Sequence, residues 1–411
     1  MRFNTALLHG DFRGDKKTGA THTPVYQSSA FEHASAETLE KIFNNKAPGF
    51  SYSRISNPTV DAFERRMTAL EGGIASVSCA SGMAAITNAF TNILRSGDEI
   101  VCSASLYGGS IDLFRDLENF GIKTHYVENN NIEQFEAATN DNTRLYFAET
   151  IGNPRLDVTD IKLLSETAHK AGVPLIVDNT VATAYLIKPI EYGADIVVNS
   201  TSKYVNGNSN SISGVITDSG NFKWDSVKYP GMKEYAKFGP YAYTAKLRNG
   251  IYRNTGACLS PQNAFYNILG IETLGLRMER ITDNALKLAE YLDTNYSFLN
   301  VNYPGLKSSE FHAIADKELN NGYGGIITIR TGSKENAFKF INALKLPLNV
   351  SNIGDTKTLV IHPGSTISAH STEEEKKIAG VFDDLVRISV GIEDIEDLIE
   401  DFTQAVEFIQ Q

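Results

Sequence analysis

Asp178 ends the apolar run PLIVDNT, and Lys203 follows the run DIVVNST in the stretch Ser200-Thr201-Ser202-Lys203. If both runs are strands of a parallel sheet, both residues reach its carboxyl edge, where ligands bind in such folds. One crevice then receives an acid and an amine. Each has a plainer reading alone, Asp178 as a helix N-cap and Lys203 as a solvated loop lysine. Two further features converge on the pair. Ser81-Gly82-Met83 opens the helical run AAITNAFTNIL, so the backbone N–H groups of Gly82 and Met83 would point at an anion, and Ser200 and Ser202 offer hydroxyls beside the lysine.

Pyridoxal phosphate requires this combination: an amine for a Schiff base, a carboxylate that keeps the pyridine nitrogen protonated, an aromatic face, and a cradle for a dianionic phosphate. Tyr107, in LYGGS just past EIVCSA, is placed to supply the face, with a tyrosine in a surface turn as its plain alternative. Arg387 stands in LVRISVGIE, where strict alternation puts Leu385, Arg387 and Ser389 on one side of a strand. A guanidinium there needs an anion. The choice is an internal carboxylate or the α-carboxylate of an amino-acid substrate gripped by both nitrogens.

The elements that must hold these residues alternate along the chain. Short β-branched runs (99–104, 122–127, 144–150, 174–180, 195–201 and 213–218) are separated by helical stretches, and several are almost continuously apolar. That pattern predicts a three-layer α/β domain with a mostly parallel sheet covered on both faces. A helix is predicted from Pro58 to the stop at Gly72-Gly73, with Phe63, Met67 and Leu70 at three- and four-residue spacing. Residues 1–58 show little helical periodicity and read as an extended arm, residues 59–256 as the large cofactor-binding domain, and residues 257–411 as a smaller C-terminal α+β domain. The last begins with a long helical segment from Pro261, which Gly270 and Gly275 are expected to interrupt.

Composition removes several classes. The 411 residues carry 38 Lys and Arg against 49 Asp and Glu, a formal charge of −11, with 42% hydrophobic and 10% aromatic residues. This is an ordinary globular protein, neither a disordered acidic tail nor a basic nucleic-acid binder. Cys79, Cys102 and Cys258 are widely spaced and read as thiols of a reducing cytoplasm. No signal-like or membrane-spanning apolar run is present, no metal is expected from the scattered histidines, and no G-x-G-x-x-G supports a nicotinamide enzyme. Ser200 to Lys203 also fits the S-x-x-K of serine acyl hydrolases, with Lys17-Thr18-Gly19 as a K-T-G, but the K-T-G lies on the wrong side and S-D-N is absent.

DNT, DIVVNSTSKY, SGMAA, LYGGS and YSRISNPT together resemble the Cys/Met-metabolism family of fold-type I pyridoxal-phosphate enzymes, and the resemblance runs over nearly the whole chain. It implies that Lys203 forms the Schiff base, Asp178 pairs with the pyridine nitrogen and Tyr107 stacks on the ring. It further implies that Asn153 touches the phenolic oxygen, with Glu149 and Thr180 lining the site, and that Arg387 clamps the substrate carboxylate. Tyr52 and Arg54 of YSR would reach the phosphate of a neighbouring subunit, which gives the arm its purpose and implies a homotetramer of dimers with shared sites. Three positions depart from the family pattern: Asn199 before the Ser-x-Ser-Lys run, Asn206-Gly207-Asn208 after it, and HPGSTISAH with Gly364 and Ile367. His362 and His370 in that stretch read as structural or substrate-wall groups.

Within the family, KFGPYAYTAKLRNGIYRNTGACLSPQNAF, then GIETLGLRMER, is most similar to the O-acetylhomoserine sulfhydrylases, as is Asn352-Ile353-Gly354-Asp355 near the carboxylate site. The resemblance implies conversion of O-acetyl-L-homoserine and sulfide, or a small thiol, to homocysteine and acetate. Methionine γ-lyase and cystathionine γ-synthase chemistry are the alternatives. Methionine γ-lyases usually carry cysteine where this chain has Gly109. The acyl group and the sulfur source, free or delivered by a sulfur-carrier protein, stay open at this stage.

Overall fold

The computed structural model describes residues 1–10, 15, 18–369 and 371–410. Its larger sheet contains β1 (Ala75–Cys79), β2 (Glu99–Ser103), β3 (Lys123–Val127), β4 (Thr143–Glu149), β5 (Leu175–Asp178), β6 (Ile196–Asn199) and β7 (Gly214–Asp218). They lie in the order β1-β7-β6-β5-β4-β2-β3. The strands from β3 through β6 run parallel, and β7 is antiparallel to both of its neighbours. The near-continuous apolar runs follow from this geometry. Leu145, Phe147, Ile176 and Ile196 enter one core, while Tyr146, Ala148, Leu175 and Val197 enter the core on the opposite face.

Strand β1 is missing from the sequence-based set because Ser76 and Ser78 interrupt its apolar pattern. Both serines are buried and satisfied: Ser78 donates through N and Oγ to Glu64 Oε1 (2.7 and 3.0 Å), and Ser76 Oγ meets Thr217 Oγ1 at 2.9 Å.

Helices α1 (Phe3–His9), α2 (Ala36–Phe43), α3 (Pro58–Glu71), α4 (Gly82–Thr91) and α5 (Gly108–Glu118) occupy the first part of the chain. The arm is therefore not extended throughout. Helix α1 buries Leu7 against α3 and the long helix, whereas α2 buries no residue. As expected, α3 begins at Pro58, with Asn57 Oδ1 accepting from Thr59 N, and ends at Gly72 in the left-handed region, φ 78°.

The long helix Pro261–Asn295 runs through Gly270 and Gly275 without a break. These glycines answer a packing need. A Cβ on Gly270 would sit 2.3 Å from the Val205 carbonyl oxygen, just beyond Lys203, and one on Gly275 would strike Asn4 of α1. The first part of this helix packs in a large-sheet core, and its Ala285–Leu292 part packs against a second sheet. That sheet, β8 (Ile326–Arg330), β9 (Leu348–Asn349), β10 (Leu359–Ile361) and β11 (Leu385–Ser389), has the order β8-β11-β10-β9. Among the described residues, no helix is long and apolar enough to cross a membrane.

Candidate active site

A cavity of about 400 Å³ opens at the carboxyl edge of β4, β5 and β6. Glu149 and Asp178 are the last residues of β4 and β5 and register partners. Thr180 follows β5, and Ser200, Ser202 and Lys203 lie in the turn after β6. Ser81, Gly82 and Met83 come from the start of α4, Tyr107 from the start of α5 and Asn153 from the loop after β4. The smaller sheet contributes Arg387 from the middle of β11 and Asn352 from the loop before β10.

The start of α4 is built to receive an anion. Ser81 Oγ caps the helix by accepting from Ala84 N at 3.0 Å, and the N–H groups of Gly82 and Met83, at the first two helical positions, have no intrahelical acceptor. A side chain at position 82 would close the cradle, since its Cβ would lie 2.5 Å from Ser200 Cβ. The two serines differ. Ser202 Oγ donates to Ser213 O (3.0 Å) and accepts from Ser213 N (2.8 Å), so its proton is committed to the backbone.

Desolvation dominates the electrostatics. It pushes the Asp178 carboxyl up to about 6, against the amide and hydroxyl of Thr180 that favour its charge. Glu149 is driven well above the usual carboxylate range, first by burial and then by the charge of Asp178, and accepts the Tyr107 N–H at 2.6 Å. Burial, then the Arg387 charge, lowers the Lys203 amine to about 8. Lys203 Nζ donates to Asn352 Oδ1 at 2.5 Å.

Arg387 is buried, and among the described residues no carboxylate pairs with it. It donates through Nη1 to Asn153 Oδ1 (3.2 Å) and through Nη2 to Asn352 O (3.0 Å), while its Nε has no partner. Burial brings it down to about 10. An internal ion pair is thus not what holds this arginine. Tyr107 is 40% exposed, and its ring folds over the start of α5 because Gly109 has no Cβ, which would lie 2.5 Å from the ring.

Tyr52 and Arg54 do not reach this cavity in their own chain. Tyr52 is 44% exposed, Arg54 lies over its ring at 5.5 Å, and Arg54 Nη1 donates to Arg253 O at 2.6 Å. His362 lies outside the cavity, bonded to Ser365 and to Asp383 O. His370 and Lys17 lie outside the described residues. Sequence reasoning missed Ser209, Ile86, Val181 and Ile212, which also line the cavity; none belongs to a chemical motif, and only the folded chain gathers them.

The family of Cys/Met metabolism PLP-dependent enzymes matches residues 4–407. The chain belongs to this family. An O-acetyl-L-homoserine sulfhydrylase of Corynebacterium glutamicum is 43% identical, over 97% of this chain and 95% of that one. O-acetyl-L-homoserine sulfhydrylase 1 of Thermus thermophilus is 39% identical, covering 99% and 100% of the two chains. The Campylobacter jejuni chain assigned as an O-acetylhomoserine (thiol)-lyase, solved with a pyridoxyl-lysine phosphate, superposes with a TM-score of 0.96 at 32% identity, over 99% of this chain and all of that one.

This PLP-dependent enzyme has residues that fit the coenzyme. Asp178 is a desolvated carboxylate with no cationic partner among the described residues, suited to a protonated pyridine nitrogen. The cradle at Gly82 admits an anion only because no Cβ fills it, and Lys203 presents an amine from the adjoining turn.

Proposed function

We propose that the protein is an O-acetyl-L-homoserine sulfhydrylase, replacing the acetoxy group at Cγ with sulfide or a small thiol to give homocysteine and acetate. One observation carries the chemical side of this reading. The amine of Lys203, the carboxylate of Asp178 and the guanidinium of Arg387, which has no carboxylate partner among the described residues, line a single cavity. The full-length similarity to sulfhydrylases of Corynebacterium glutamicum and Thermus thermophilus supports the choice of substrate.

Bound pyridoxal phosphate supplies a heterocycle that draws electrons from Cα and Cβ of the attached amino acid. In this proposal Asp178 holds the pyridine nitrogen protonated, and the start of α4 with Ser200 takes the phosphate. Arg387 receives the α-carboxylate, held in place by Asn153 and the Asn352 carbonyl. Lys203, lowered to about 8, can exchange protons near neutrality and moves them at Cα and Cβ. Acetate then departs from Cγ with the C–O bonding pair, and sulfide forms the C–S bond. The apolar side chains of Ile86, Val181, Ile212 and Ile367 line the cavity and limit competing water.

A γ-elimination reading has one specific support: cystathionine gamma-lyase of Lactobacillus plantarum superposes with a TM-score of 0.88 at 30% identity, over 100% of both chains. The same proton transfers serve both outcomes. Purified holoenzyme supplied with O-acetylhomoserine distinguishes them: homocysteine formed only with sulfide supports the proposal, and 2-oxobutyrate with ammonia released at the same rate without sulfide overturns it. The proposal also includes a homotetramer of dimers with shared sites in a reducing cytoplasm, and a sulfur source that is either free sulfide or a sulfur-carrier protein.

A further inference from the structure

We infer that Ser209 and Asp355 are positioning residues: through a one-way chain of hydrogen bonds they fix which end of the Asn352 amide faces Lys203. The chain starts at Asp355. Burial would raise this carboxyl, but bonds from the Ser209 hydroxyl and Lys357 N, with the Lys357 charge, hold it below its usual value, so it is an acceptor only. Ser209 has one hydroxyl proton, and Asp355 Oδ2 takes it. The Ser209 oxygen can then only accept, and Asn352 Nδ2 donates to it at 2.8 Å. With its NH₂ end committed, the amide turns its oxygen to Lys203 Nζ at 2.5 Å.

The sense of that last bond matters. An amide oxygen accepts a hydrogen from Nζ, which directs the lone pair of a neutral amine away from Asn352, and the cavity lies on that open side. A reversed amide would occupy the same lone pair and leave Lys203 without a base.

The backbone gives a second, independent observation. Ser209 has φ 52°, the left-handed region where a side chain is disfavoured and glycine is at ease. A serine retained there places its hydroxyl between Asp355 and Asn352 at a conformational cost.

The inference rests on the proposed function only in giving Lys203 the proton transfers, and its test needs neither sulfide nor an acetyl group. Ser209→Gly is the informative variant, because glycine suits φ 52° and preserves the loop. With loaded enzyme and an amino acid lacking a γ-leaving group, exchange of the Cα hydrogen for solvent deuterium should slow about tenfold, with half-saturation changed less than about twofold. Asp355→Asn, whose new amide can donate to Ser209 and reverse the chain, should lose about as much.

The second readout uses cofactor-free protein. Acylation of Lys203 by an amine-selective reagent, followed by peptide mass spectrometry across pH, should show its midpoint falling by about half a unit or more, since the ammonium loses an acceptor. Arg387 on β11, Asp178 on β5, Glu149 on β4 and Tyr107 of α5 also face the cavity and are unchanged in these variants. Unchanged exchange with an unchanged midpoint overturns the inference. So does joint loss of coenzyme binding and exchange with no change in midpoint, which would make the two residues purely structural.

Discussion

Glu149 and Asp178 stand side by side at the carboxyl ends of β4 and β5, with no cation paired to either among the described residues. Two adjacent desolvated carboxyls resist holding two negative charges, and Glu149 is displaced further, so it is the member that stays protonated. Asp178 is then left as the anion for a positive group entering the cavity. Burial is the larger influence on both carboxyls, and the charge of Asp178 adds to the displacement of Glu149.

Replacing Asp178→Asn tests that division. The amide keeps the shape of the carboxylate and removes its charge, while Lys203 and the α4 cradle are untouched. Turnover should fall about a hundredfold or more, with the coenzyme still retained on Lys203. Steady-state kcat and the mass of the borohydride-reduced protein measure the two. Full activity in the variant would remove Asp178 from the reaction.

Glu71 predicts a pH dependence of stability. It ends α3 fully buried, accepting from Asn199 Nδ2 at 2.8 Å and Asn179 Nδ2 at 3.3 Å, and burial pushes it up to about 7. Its folded value exceeds the unfolded value, so the native state binds more protons between the two. The contribution of this group to stability is greatest below about 4.5 and falls, by about 3 kcal/mol, as pH rises through about 7. Glu71→Gln should flatten that slope in urea unfolding of the cofactor-free protein between about pH 5 and pH 8. Asp178 and Asp218, each raised to about 6, act in the same direction and leave a residual slope.

Arg387→Lys should chiefly weaken binding of the amino acid. Asn153 and the Asn352 carbonyl hold the fork of the guanidinium, and a single ammonium cannot meet both and still offer two donors to a carboxylate. KM should rise about thirtyfold, with kcat less affected, in initial-rate measurements over a range of substrate concentrations. An unchanged KM would place the carboxylate elsewhere.

The sequence made the cavity's edge readable because strand ends mark themselves. Asp178 and Lys203 each follow an uninterrupted apolar run, and a sheet covered on both faces leaves those runs few alternatives. What it concealed depends on contacts between distant segments. Gly270 and Gly275 read as helix breaks, yet they are places where Val205 and Asn4 approach the helix too closely for a side chain. Ser76 and Ser78 disguised β1 because partners on α3 and β7 allow serines to be buried there. Asn199 reads as a loss of the histidine common at that position, but in the structure it donates to Glu71. Ser209 has no periodicity or motif, and its bonds reach residues more than 140 positions away.

The cavity as one chain builds it ends without enough positive charge. Among the described residues its only cationic lining groups are Lys203, the proposed Schiff-base amine, and Arg387, which faces Asn153 and Asn352, and this leaves helix N–H groups and hydroxyls to face a phosphate dianion. Arg54 and Tyr52 lie together on the exposed arm, away from the cavity of their own chain. If the arm completes the site of a second copy, Arg54→Ala and Lys203→Ala damage different halves of a shared centre. A mixed dimer then holds one site with both residues intact and one with neither. Random mixing makes half the dimers mixed, so about a quarter of wild-type activity should return from two inactive preparations refolded together. No recovery, with mixed dimers demonstrated by mass spectrometry, would confine each site to a single chain and leave the phosphate to the α4 cradle alone.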